Sequence, residues 1–156
     1  MVTDNMISNN KISNDLVGIA GVHYVAYQLA MRGLIAMPTI RNTSGIDIIV
    51  TDPLTMKSAN LQVKTSQKKV DFWPTSKPQK CIQGKNCFYV FIRTMPVQKI
   101  FQVFLEESEK VVSQVTKNVD DQIKRGRQPF PCWYLPKEKQ KQDLLESKWK
   151  QWRPIT

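Results

Sequence analysis

Three polar residues on two neighbouring predicted strands form the cluster best suited to chemistry. Asp47 interrupts an apolar run over residues 46–50, and Gln62 and Lys64 lie two residues apart in an alternating run over residues 61–65. An acid in such a run is costly to bury unless it gains a partner or a metal ion. Carboxylate and amide oxygens suit a hard cation such as Mg²⁺ or Mn²⁺, and an ammonium group stabilises charge on a phosphate. The set therefore favours metal-dependent phosphodiester hydrolysis; the alternative is a solvated sheet face with a surface ion pair.

A β-hairpin is the element that would bring these side chains together. Gln62 and Lys64 share one face of the second strand because side chains alternate along a strand. If the hairpin closes around Thr55, Asp47 lies on the same face, opposite either Gln62 or Lys64. The two registers differ by two residues, and the sequence does not decide between them.

The remaining pattern predicts a mixed α/β fold, with a sheet of about five strands flanked by helices. The chain is expected to form one domain over residues 1–156, with a loose tail over residues 1–13. Pro38 places the first strand at a sheet edge, and Gly33 and Gly126 end two of the helices. Helices are predicted over residues 15–32, 106–125 and 139–152, and strands over residues 35–40, 46–50, 61–65, 88–93 and 99–105.

Charge and composition indicate which kind of partner the protein binds and in which cellular compartment it is expected. The net charge is +10 and the sequence pI is about 9.7, which favours a polyanion such as DNA. Three cysteines without metal-ligand spacing and an N-terminus without a basic start indicate a cytoplasmic protein. The apolar stretch over residues 16–37 is interrupted by His23, Gln28 and Arg32, so it predicts a buried helix and strand, and no membrane partner is expected.

Several short motifs then follow one another in a characteristic order. They are Gly18-Ile-Ala-Gly21, Val25-Ala-Tyr-Gln-Leu-Ala30, Arg32-Gly33, Gly45-Ile-Asp-Ile-Ile-Val50 and Leu61-Gln-Val-Lys-Thr65. Over residues 15–105 this order resembles the PD-(D/E)XK nuclease superfamily, especially its small single-domain bacterial members and Mrr-type restriction endonucleases. The resemblance implies a restriction-endonuclease-like mixed sheet and a metal-dependent DNA endonuclease. It also implies that Asp47 and Gln62 bind Mg²⁺ or Mn²⁺, and that Lys64 completes the catalytic set.

One position departs from that family's pattern. Relatives often carry a glutamate directly after the Ala-Gly of the first helix, where this chain has Val22. Asp15 lies about two helical turns earlier and could approach the site, but we interpret it as a helix N-cap. We interpret His23 as a partly buried histidine rather than a ligand or proton carrier. Because Val22 cannot bind a metal ion, a second hypothesis is that the protein has this fold but no catalytic activity and binds DNA or another protein. A third hypothesis is that it binds or processes RNA.

Basic residues outside the cluster predict the surface that contacts nucleic acid. The polar loop over residues 66–86 contains Lys68, Lys69, Trp73 and Lys77, which we predict to contact DNA. The alternative is that the lysines are only solvated and that Trp73 packs beneath the loop. A second basic cluster, Lys124-Arg-Gly-Arg127, lies at a helix end. A homodimer stays open as well, because nucleases that cut both strands often pair two sites.

Overall fold

The computed structural model describes residues 12–40, 45–95 and 100–154, which form three α-helices and seven strands. In chain order they are α1 (Asn14–Ala30), β1 (Ile35–Pro38), β2 (Ile48–Thr51), β3 (Ser58–Ser66), β4 (Phe72–Pro74), a 3-10 turn (Pro78–Lys80), β5 (Cys87–Met95), β6 (Ile100–Glu107), α2 (Ser108–Lys124), β7 (Cys132–Tyr134) and α3 (Lys139–Gln151). The predicted tail over residues 1–13 lies almost wholly outside the described residues.

Five strands form one mixed sheet in the order β1-β2-β3-β5-β6. The pairs β1–β2, β2–β3 and β5–β6 are antiparallel, and β3–β5 is parallel. Three helices flank this sheet, which confirms the predicted fold class. Pro38 lies on edge strand β1, as expected for a residue that cannot donate a backbone hydrogen bond.

The segment over residues 66–86 differs from the predicted loop. Its β4 strand pairs antiparallel with β7 in a second, two-stranded sheet, with Phe72 opposite Tyr134 and Trp73 opposite Trp133. The pairing joins parts of the chain about sixty residues apart. Aromatic packing, rather than a local turn, therefore decides the structure of this segment.

Strand alternation divides the apolar core between the two faces of the main sheet. Leu61 and Val90 belong to the cluster that includes Val25 of α1 and Trp149 of α3. Phe91 belongs to the other cluster, beneath the small sheet and α2. Trp149 and Trp152 of the C-terminal region are both buried in this first cluster.

Helix α1 begins at a serine cap and ends before a glycine. The Ser13 hydroxyl accepts a hydrogen bond from the Leu16 N–H at 3.3 Å, so the interpretation of Asp15 as the N-cap is wrong. Gly33 has a φ of 78°, the left-handed conformation typical of a residue that follows a helix.

In the part of the chain that the structure describes, no helix has the length and apolar character needed to cross a membrane.

Candidate functional site

The β2–β3 hairpin has one of the two predicted registers. Ile48 lies opposite Leu61, and continuing this pairing by one residue sets Asp47 opposite Gln62. The connecting turn is closed by the Asp52 N–H, which donates to the Lys57 carbonyl at 2.9 Å. The turn therefore lies where the sequence predicts it, around Thr55.

Asp47 is held at the start of this hairpin by three hydrogen bonds. Its carboxylate Oδ2 accepts the Val63 N–H at 2.7 Å. Its backbone N–H donates to the Leu61 carbonyl at 2.8 Å, and its own carbonyl accepts the Thr39 N–H at 2.9 Å. The side chain thus takes the place of a backbone acceptor where the two strands stop pairing. This arrangement fixes the position of the carboxylate through backbone groups.

Burial is the largest influence on the charge of this carboxylate. Loss of solvent raises the pKa of Asp47, while the Val63 N–H and the positive charge of Lys64 lower it by less. Among the described residues, no ion pair within 4.0 Å joins Asp47 to Lys64. The folded chain therefore holds a partly desolvated acid whose charge is only weakly compensated.

A cleft of about 500 Å³ opens beside Asp47. It lies between the first half of α1, the end of β1 and the start of the hairpin. Asp15 and His23 line it together with Asp47 and Val63, and Val22 lines it as well. Asp15 and His23 are both exposed, so the interpretation of His23 as partly buried is wrong. The fold therefore brings a second carboxylate and an imidazole to the cleft of Asp47.

Gln62 and Lys64 occupy different surroundings. Gln62 is only 8% exposed, and a side-chain carbon built onto Gly45 would lie 3.6 Å from its Nε2 and 3.8 Å from its Oε1. Lys64 is half-buried. Among the described residues that line the cleft, neither of these two is present. Gln62 packs against Gly45 at the edge of the cleft, and Lys64 acts on Asp47 through its charge.

The donors near Asp47 suit a weakly held hard cation. Within the described ranges, no group of three His, Cys, Asp or Glu side chains is placed to hold a metal ion. Mg²⁺, however, keeps several waters and is commonly bound through one or two carboxylates and the phosphates of a substrate. The carboxylates of Asp47 and Asp15 fit that type of site. They do not fit a closed structural metal site.

Trp73 does not have the role that the sequence suggested. Its side chain is 2% exposed, and its indole N–H donates to the Ile92 carbonyl at 2.9 Å. Its ring lies 5.4 Å from that of Phe91 and 5.7 Å from that of Trp133, measured between centroids. A base cannot stack on a buried ring, so the predicted contact of Trp73 with nucleic acid is wrong, and Trp73 packs in the core instead. Lys68, Lys69 and Lys77 are exposed, and their role stays a prediction.

Sequence reasoning missed the exposed partner of each buried tryptophan. Phe72 precedes Trp73 and Tyr134 follows Trp133, so the alternation of a short strand turns both outward. The sequence signal for this arrangement is the two aromatic dipeptides Phe72-Trp73 and Trp133-Tyr134. Neither segment, however, has the length of a typical strand.

The fold and the cleft define a mixed α/β protein with an acidic cleft at the start of a β-hairpin. No model of a protein family matches the sequence, and no curated protein matches it. A search of solved structures finds similarity to a bacterial homing endonuclease, with 14% identity, a TM-score of 0.47, and coverage of 65% of this chain and 74% of that chain. A likeness of this size does not assign a family.

Proposed function

We propose that this chain hydrolyses phosphodiester bonds in DNA with Mg²⁺ or Mn²⁺ held in the cleft at Asp47. The observation that carries the proposal is the state of the Asp47 carboxylate. It lines an open cleft, it is partly desolvated, and the Val63 N–H fixes one of its oxygens. Carboxylates kept in such costly positions cluster at functional sites.

Each polar side chain near the cleft has a distinct role in this proposal. Asp47 holds the ion, and Asp15, which lines the same cleft, is the candidate for a second carboxylate ligand. When bound, the ion polarises a phosphoryl oxygen and lowers the pKa of a water molecule. Lys64 offsets negative charge that develops on the phosphate. His23 also lines the cleft and is the candidate general acid or base.

Gln62 has a supporting role rather than the ligand role implied by the family resemblance. Its side chain packs against Gly45, which lines the cleft. We propose that it fixes the path of the chain into β2 and thereby the position of Asp47.

DNA is the proposed substrate because of the charge of the chain. A net charge of +10 attracts a phosphate backbone over a distance set by the salt concentration. Lys68, Lys69 and Lys77 are exposed and are proposed to contribute to this attraction.

A second candidate function is a DNA-binding module without catalysis. It is favoured by Val22, which lines the cleft but cannot bind a metal ion. Metal-dependent cleavage separates the two candidates.

The test is cleavage of supercoiled plasmid DNA in Mg²⁺ and in Mn²⁺. Asp47→Asn and Lys64→Ala are compared with Asp120→Asn and Lys117→Ala, which alter an exposed acid and an exposed lysine on α2. We expect Asp47→Asn and Lys64→Ala each to lose at least about a hundredfold in rate, as removal of one charge-stabilising group does elsewhere. The two α2 variants should keep the wild-type rate. DNA binding without cleavage by any form would favour the binding module, and equal cleavage by Asp47→Asn would refute the proposed site.

A further inference from the structure

Two aromatic rings lie side by side on the outer face of the β4–β7 sheet. Phe72 and Tyr134 are cross-strand partners, 42% and 43% exposed. Their centroids are 5.9 Å apart and their planes are inclined by 35°. Because the two exposed rings are adjacent, they form one continuous apolar patch, a feature typical of contact surfaces. We call Phe72 and Tyr134 the aromatic pair.

A rigid layer lies beneath the aromatic pair. Trp73 and Trp133 point inward from the same two strands and are each 2% exposed. The Trp133 ring stacks on Phe91 of the main sheet at 4.0 Å, with 3° between the planes. The exposed rings therefore stand on a support whose side chains are fixed by packing.

Helix α2 fixes the other edge of β7 through side-chain amides. The Gln114 Nε2 donates to the Tyr134 carbonyl at 3.1 Å, and its Oε1 accepts the Tyr134 N–H at 2.6 Å. One turn later, the Asn118 Nδ2 donates to the Cys132 carbonyl at 3.4 Å. These bonds leave the Tyr134 ring exposed while holding its backbone in place.

A basic groove adjoins the aromatic pair. It has a volume of about 270 Å³ and is lined by Asn118, Asp121, Gln122, Arg125, Arg127 and Tyr134. In the described part of the chain, the guanidinium groups of Arg125 and Arg127 form no ion pair. Arg93 and Arg153, by contrast, each pair with an aspartate. Unpaired guanidinium groups beside an aromatic ring are suited to phosphate and base contacts.

We infer that the aromatic pair and the groove together bind an unpaired segment of DNA, with bases stacked on Phe72 and Tyr134 and phosphates bound by Arg125 and Arg127. The inference rests on the proposed function for the identity of the polyanion, and it adds a second contact surface outside the cleft. Stacking on aromatic rings in a positively charged groove is the common mode of single-strand binding. In a duplex the bases already stack on one another, so their faces are not open to these rings.

Charge complementarity selects this occupant over a protein strand or helix. Lys124 precedes the two arginines in the chain, and Lys68 and Lys69 precede β4. Asp121 is the acid among the residues that line the groove. An apolar peptide would cover the rings but would leave the two guanidinium groups without partners.

The experiment measures binding of a labelled oligothymidine by fluorescence anisotropy in EDTA, over a series of salt concentrations. Tyr134→Thr removes one ring and keeps a residue that favours strands. Its matched control is Phe101→Thr, which removes a ring that is 41% exposed on β6. Tyr134→Phe keeps the stacking surface. Arg125→Gln with Arg127→Gln removes the groove charges, and Lys141→Gln with Lys150→Gln removes two charges from α3.

We expect Tyr134→Thr to raise the Kd about tenfold, within the range measured for loss of one base–aromatic stack. Tyr134→Phe and Phe101→Thr should bind as the wild-type chain does. The slope of log affinity against log salt is negative, and the double arginine variant should make it less steep by about 1.4, while Tyr134→Thr leaves it unchanged. The α3 variant should change that slope by less.

Equal binding by Tyr134→Thr and the wild-type chain would overturn the inference, as would an equal loss in Phe101→Thr. If Tyr134→Thr fails to fold, photocrosslinking of an iodouracil oligomer to the wild-type chain decides the matter. Crosslinks in β4 or β7 support the inference, and crosslinks confined to other elements refute it. Asp47→Asn separates the two proposals, because it removes cleavage but should keep oligomer binding.

Discussion

Asp47 is expected to lower the stability of the folded chain at neutral pH. Burial raises the pKa of this carboxyl, so folding favours its neutral form. Asp47→Asn removes the charge and keeps an oxygen that can accept the Val63 N–H, so we expect a larger free energy of unfolding. Asp47→Ala removes the acceptor and leaves that N–H unpaired, which costs about 1–3 kcal/mol. Both variants remove the charge and only Asp47→Ala loses the acceptor, so Asp47→Asn should be more stable than the wild-type chain and more stable than Asp47→Ala by about 1–3 kcal/mol.

The pH dependence of this effect has a definite sign. Above the raised pKa the carboxyl is ionised in both states, and the folded chain carries the full cost of desolvating it. As the pH falls through the raised pKa, protonation relieves that cost, and below the ordinary value of 3.8 both states are neutral. The stability difference between Asp47→Asn and the wild-type chain should be largest at neutral pH and close as the pH falls toward about 4.

Urea unfolding in EDTA, followed by tryptophan fluorescence, measures these differences. The exposed control Asp120→Asn should change the free energy of unfolding by less than about 0.5 kcal/mol. If Asp47→Asn lowers stability at neutral pH as much as Asp47→Ala does, the charge itself supports the fold. In that case the reasoning that assigns this carboxylate to function would be refuted.

Two further predictions concern other parts of the fold. A Cβ added at Gly21 would lie 1.8 Å from the Thr65 Oγ1, whereas one at Gly18 meets no atom within 4 Å. In thermal unfolding, Gly21→Ala should therefore destabilise the chain by about 1–3 kcal/mol and Gly18→Ala should stabilise it by about 0.5–1 kcal/mol; similar effects would contradict this packing. Burial, followed by the adjacent carboxylate, raises the pKa of Glu106 to about 7, and Lys148 lowers it. Lys148→Gln should raise the pKa of Glu106 further in an NMR titration of its carboxyl carbon. An unchanged midpoint would contradict the ion pair between Lys148 and Glu106.

The main sheet could be predicted because its signals are local. Alternation over residues 61–65 fixes which side chains share a face, and Pro38 and Gly33 mark an edge strand and a helix end. The β4–β7 sheet has no such signal, because each strand has three residues and the two pair across the chain. It is stabilised by tertiary contacts, which include the packing of Trp73 on Trp133 and hydrogen bonds from Gln114 to Tyr134.

The composition of the cleft could be predicted only in part. The turn around Thr55 sets the hairpin register, so the position of Asp47 opposite Gln62 follows from the sequence to within two residues. The place of Asp15 depends on which residue caps α1, and Ser13 does so instead of Asp15. The packing of Gln62 against Gly45 depends on how the chain enters β2, which the pattern of residues does not determine.

The most direct test of the proposed site is paramagnetic broadening of backbone amide signals by Mn²⁺. Unlike a cleavage assay, it is insensitive to traces of a contaminating nuclease. If the ion binds at Asp47, the amides of Gly45, Asp47 and Val63 should broaden first as Mn²⁺ is added, and Asp47→Asn should abolish that selectivity. Broadening that is spread evenly over the surface, or that persists unchanged in Asp47→Asn, would contradict a metal site in the cleft.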